Sequence, residues 1–125
     1  MTTAVLSKQD MLRDIVSYLR SALPELRGVL VATSDGLPIV QAMTEGTDAN
    51  RVAAMAATAV GLGKRINDTL ASGTLTEMSV SGQDGQVFLY VAGKGVLAVV
   101  APANMNLGLL HMEARDVARS IANVL

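Results

Sequence analysis

The chain of 125 residues has no cysteine, no tryptophan, one histidine and three prolines, and aromatic residues make up only 2% of it. Without cysteine there can be no disulfide framework and no thiolate zinc site. That suits a reducing compartment, and a cytoplasmic location is expected. With so few aromatics, the core must be built from Ala, Val, Leu, Ile and Met, within a chain that is 50% hydrophobic. Ten basic residues balance eleven acidic ones with no basic block. Nucleic acid is therefore not expected as a partner, because phosphate binding needs clustered Lys and Arg.

The opening MTTAVLSKQD has no apolar run of signal-peptide length. The longest apolar run, Val52 to Leu62 with Thr58 inside it, falls far short of the ~20 residues that span a bilayer. No membrane span is expected. The length suits a single domain over 1–125, with its core from about residue 8 onward. A domain of that size can be stable without metals or disulfides.

Hydrophobic periodicity orders the elements. Residues 8–23 read as a helix with Leu12, Ile15, Val16, Leu19, Ala22 and Leu23 on one stripe. Ser7 is its expected N-cap, Leu6 and Met11 are placed for a hydrophobic staple, and Pro24 ends it. Residues 27–33 and 37–43 read as strands around the turn Ser34-Asp35-Gly36. Pro38 cannot donate to a ladder, which places the second strand at a sheet edge. A helix over 47–70 follows, capped by Thr47 or Asp48.

Residues 74–81 form a polar strand, and Gln83-Asp84-Gly85 a hairpin turn. QVFLYVA (86–92) and GVLAVVA (95–101) are nearly continuous apolar strands, which implies that both sheet faces are covered. A last helix over 107–125 is capped by Asn106 and turns Leu107, Leu110, Ala114, Val117, Ala118, Ile121 and Leu125 inward. The order α-β-β-α-β-β-β-α implies an α+β domain with one antiparallel sheet between helices.

No catalytic constellation emerges. His111 is the only histidine, and no G-x-S-x-G elbow accompanies it. At one position past the inward Leu110, it reads as a boundary or surface residue. Gly61-Leu62-Gly63-Lys64-Arg65 is no phosphate loop, since Thr58 stands where a glycine is needed and Arg65 where a Ser or Thr is needed. No catalytic, cofactor-binding or metal-ligating residue is assigned, and no small-molecule substrate is expected.

The helix over 47–70 carries two apolar rows. Val52, Met55, Ala59, Leu62, Ile66 and Leu70 have the spacing of a core stripe. Ala53, Ala57, Val60 and Gly61 form a second, mostly small row. Glycine costs roughly 1 kcal/mol against alanine inside a helix, so the space left at Gly61 and Gly63 should be used. The expected user is another chain packing on the small row. Arg51, Lys64, Arg65 and Asp68 flank that row like a polar rim. The polar strand from Leu75 to Ser81 has the character of an open edge that could pair with a second chain.

Several stretches, in this order and spacing, resemble the Roadblock family, relatives of a dynein light chain widespread in bacteria and archaea. They are Leu26-Arg27-Gly28-Val29, Ser34-Asp35-Gly36-Leu37-Pro38-Ile39, the Ala-rich helix ending near Gly63-Lys64, and Ala103 to Leu110 (ANMNLGLL). The resemblance covers almost the whole chain, about Asp10 to Leu125. It implies a profilin-like five-stranded antiparallel sheet with the first and last helices on one face and the central helix on the other. It also implies a non-catalytic homodimer of the bacterial type, formed through the central helix and the following strand. Ala53, Ala57, Val60, Gly61, Leu75, Glu77 and Ser79 would make that interface. Members of this kind partner and regulate Ras-like small GTPases, some as activators, and others serve as scaffolds in motility, polarity or motor assemblies. Arg51, Lys64, Arg65 and Asp68 are the candidates for partner contact, and Arg51 or Arg65 could act on a GTPase in trans. Folds of this shape also hold ligands, so an enzyme or small-molecule sensor is the third alternative.

Overall fold

The structure, a computed structural model, describes residues 7–125. Its elements run α1 (Lys8–Ala22), β1 (Gly28–Thr33), β2 (Pro38–Ala42), α2 (Ala49–Leu70), β3 (Glu77–Gly82), β4 (Gly85–Ala92), β5 (Gly95–Pro102) and α3 (Leu107–Val124). Local chemistry sets the helix starts. Ser7, Asp48 and Asn106 each accept a hydrogen bond from the backbone N–H three residues on, at 3.1, 3.2 and 3.1 Å. Of the expected staple partners, Leu6 lies outside the described residues. α2 ends on Ala71 in the left-handed region at φ 54°, and the N–H of Ser72 reaches back to the Asn67 carbonyl at 2.9 Å.

All five strands join one antiparallel sheet in the order β2-β1-β5-β4-β3. β2, with Pro38 at its start, is an edge, as the sequence predicts. β3 is the other edge, although it begins at Glu77 rather than at residue 74. β4 and β5 alternate between two cores. Phe88, Tyr90, Leu97, Val99 and Ala101 face α1 and α3, while Leu89, Val96 and Ala98 face α2. The apolar continuity of these strands thus reflects helices on both faces. Among the described residues, no helix is long and apolar enough to cross a membrane.

The two rows of α2 are the reverse of the expectation. Ala53, Ala56, Val60 and Gly63 are the buried positions and rest on the sheet. Met55, Leu62, Ile66 and Leu70, expected in the core, are 47–68% exposed. Only Val52 and Ala59 of that stripe pack partly inward. The reason is volume. Leu30, Leu89 and Val96 fill the layer from the sheet side, so the helix must meet them with small side chains and come close.

The space at Gly63 is used by this chain itself. A Cβ built there would lie 2.9 Å from Met78 Sδ and 3.1 Å from Leu75 Cδ2, whereas one at Gly61 would meet nothing within 4 Å. Leu75 is buried as a result of this approach. Ala57 serves the chain in a similar way, because the β1–β2 turn packs on it. A Cβ built on Gly36 would lie 3.6 Å from Ala57 Cβ.

The two glycines should therefore answer differently to alanine. Gly61→Ala should raise stability by roughly 1 kcal/mol through helix propensity. Gly63→Ala should recover little of that or lose stability, because Met78 and Leu75 must move. Denaturant midpoints of the two variants measure the difference, and equal gains would contradict the packing described.

Candidate interaction surface

Met55, Leu62, Ile66 and Leu70 project from α2 into solvent. On the neighbouring edge strand, Val80 is 59% exposed. Val80 pairs with Val87, and Val87 packs on the α2 side of the sheet, so Val80 and the helix stripe share one face. Single exposed apolar residues are ordinary, but several large ones on adjoining elements make this face a candidate interaction surface.

The two sheet edges differ in a way that matters here. α1 covers the carbonyls of β2, with Gln9 Nε2 donating to Ile39 O at 3.1 Å and Arg20 Nη1 to Ala42 O at 3.4 Å. Just beyond the strand, the Gln41 side chain accepts from its neighbour's backbone, Met43 N, at 2.9 Å. Pro38 offers no donor. Among the described residues, no side chain bonds to the backbone of β3, and four of its six residues are exposed. β3 is the open edge, and it lies beside the apolar stripe.

The sequence-predicted residues scatter around this surface. Ala53, Val60 and Leu75 are buried within the chain, so they cannot meet a second copy. This corrects the expected interface. Ala57 is half-buried against the β1–β2 turn, and Gly61 is exposed on the flank away from Ile66. Ser79 is exposed on β3, but it alternates with Val80 and so lies on the opposite sheet face. Arg51, Lys64, Arg65 and Asp68 are all exposed. Arg51 and Arg65 run along the outward ridge of α2 beside Leu62. Lys64 and Gly61 line a small recess with Ser34 and Gly93.

Glu77 is the largest departure from expectation. Its side chain does not point across the edge but down onto α3. Glu77 Oε1 accepts from Arg115 Nε at 2.9 Å and lies 2.8 Å from Arg115 Nη2. Glu77 Oε2 is 3.3 Å from His111 Nδ1. The same Nδ1 is 2.7 Å from the hydroxyl of Tyr90, a residue only 2% exposed. The Phe88 ring meets the imidazole edge-on at a centroid distance of 5.0 Å. His111 is thus a boundary residue, and one that belongs to a network. No sequence motif announces this group. Its one readable signal is the hairpin, because a turn at Gln83-Asp84 sets Glu77 opposite Tyr90.

The network is suited to holding elements together. Burial, reinforced by the Glu77 charge and opposed by Arg115, pushes the Tyr90 phenol well above its ordinary value. The hydroxyl therefore stays neutral, and the Glu77 carboxylate is occupied by Arg115. Among the described residues, no group of three His, Cys, Asp or Glu could hold a metal. A groove of about 610 Å³ between α1 and β2 lies at the covered edge.

The model of the Roadblock/LC7 domain matches residues 13–101. An uncharacterized protein of Methanocaldococcus jannaschii is 33% identical over 96 residues, covering 77% of this chain and 84% of that protein. The chain belongs to the Roadblock/LC7 family. Its profilin-like fold is also that of MglB from Myxococcus xanthus, with a TM-score of 0.87 at 14% identity over 98% of this chain and 93% of that one. MglB in a tetrameric arrangement superposes with a TM-score of 0.84 at 12% identity, over the same shares.

The Tyr90 environment gives a pH dependence with a definite sign. A phenol whose folded value is raised adds stability that is complete below the unfolded value of about 10. That stability is lost as pH rises beyond it, because only the unfolded chain ionises there. Denaturation midpoints should fall above about pH 10. Tyr90→Phe should flatten that fall and, by removing the hydroxyl bonded to Nδ1 of His111, cost roughly 1 kcal/mol at neutral pH. A wild-type midpoint unchanged across this range would contradict the assignment.

Proposed function

We propose that this chain is a homodimeric binding module that docks and regulates a Ras-like small GTPase. The observation that carries the dimer is the exposed stripe Met55, Leu62, Ile66 and Leu70 beside the open β3 edge. Two copies related by a two-fold axis would bring these stripes together and pair β3 with β3, giving one continuous sheet. Such self-complementary contact is the usual way for a homo-oligomer to close. The tetrameric arrangement described for MglB supports self-association in chains of this fold.

The GTPase reading rests on membership of the Roadblock/LC7 family and on the charged ridge of α2. Arg51 and Arg65 border the stripe, Lys64 and Asp68 lie on the other flank of α2, and together they would supply the polar contacts that fix the register of a docked partner. In this role the module biases one conformation of the GTPase switch segments. Neither Arg51 nor Arg65 is held in an ion pair among the described residues. Each is thus placed to reach a bound partner.

Leu62→Arg and Ile66→Arg should each weaken self-association tenfold or more, since an unpaired charge would be buried at the contact. Gly61→Arg, on the other flank, should leave it nearly unchanged. Light scattering over a concentration series reads all three, and a dimer that ignores Leu62→Arg would place the interface elsewhere. Addition of a Ras-like GTPase should raise the mass only when the GTPase carries a non-hydrolysable GTP analogue. A dimer that binds neither nucleotide form would instead support a scaffold without effect on GTP turnover.

A further inference from the structure

We propose that Glu77 is a positioning residue for the interaction edge: by pairing with Arg115, beside His111, it anchors the start of β3 to α3 and so holds the open edge in register for a second copy of this chain. The inference rests on the homodimer reading above and adds the element that makes the edge competent to pair.

β3 needs such an anchor. It is hydrogen-bonded to one neighbour only, β4. From Ser79 to Gly82 it is exposed. On the α2 side, Met78 reaches Gly63. On the α3 side, the contact is made through Glu77, whose Oε1 is held by Arg115 at 2.8–2.9 Å and whose Oε2 lies 3.3 Å from His111 Nδ1. His111 is itself fixed by the buried Tyr90, which stands directly opposite Glu77 on β4. The chain of contacts therefore runs from the buried core, through Tyr90 and His111, to the first residue of the edge. A paired edge strand must present its outer N–H and C=O groups in a fixed line. A strand free to fray pays that ordering cost on association.

Amide hydrogen exchange and the dimer dissociation constant test the idea together. The variants are Glu77→Gln, Arg115→Met, and the charge-swapped pair Glu77→Arg with Arg115→Glu. Glu77→Gln and Arg115→Met should speed exchange across Glu77–Gly82 about tenfold and leave β1 and β5 as in the wild type, with local opening as the cause. Both should raise the dissociation constant about fivefold. The swapped pair should restore much of both losses, because a structural defect unrelated to the ion pair would not be rescued. Unchanged exchange in β3, or a rise shared equally by β1 and β5, would overturn the proposal. A wild-type chain that stays monomeric at every concentration would overturn the homodimer reading, and the exchange comparison would still decide whether Glu77 holds β3.

Discussion

The close approach of α2 to the sheet governs the rest of this molecule. The sheet fills the intervening layer with Leu30, Leu89 and Val96. The helix can then offer only Ala53, Ala56, Val60 and Gly63. A helix with so little volume to bury still carries Met55, Leu62, Ile66 and Leu70, and these have nowhere to go but outward. The same choice that packs one face tightly leaves the other face apolar and bare. An exposed apolar face is thus a consequence of how the core is filled, and a partner that covered it would recover the cost of exposing those side chains.

The sheet edges complete that logic. α1 lies along β2 and spends Gln9 and Arg20 on its carbonyls, while Pro38 removes a donor at its start. β3 has no such cover among the described residues. One edge is closed and the other open, and the open edge adjoins the exposed stripe. Glu77 ties the open edge to α3, so the surface rests on a framework that reaches back to the buried Tyr90.

Much of this was legible from residues alone. The caps at Ser7 and Asn106, the edge position of Pro38, the covered faces of β4 and β5, and the inward residues of α3 follow from turn chemistry and period. The orientation of α2 was not legible in the same way. Its large stripe and its small positions 53, 56, 60 and 63 both recur at helical spacing, and hydrophobicity favours the large one. Only the volume contributed by the opposing strands decides between them, and that is a tertiary quantity. The expected core row of α2 is therefore the exposed one, and the small positions expected outside are largely the buried ones. The Glu77–His111–Tyr90–Arg115 network was missed because its members lie on three elements. No local pattern joins them beyond the register of one hairpin.

Intermolecular paramagnetic broadening tests the central claim most directly, and the absence of native cysteine makes it clean. A nitroxide on a cysteine introduced by Thr69→Cys would be mixed with isotopically labelled wild-type chain. The account predicts broadening of amide signals in the second copy along the outer row of α2 and in β3, with α1 and β2 unaffected. Broadening confined to α1 and β2, or none at concentrations where the chain is dimeric, would contradict it.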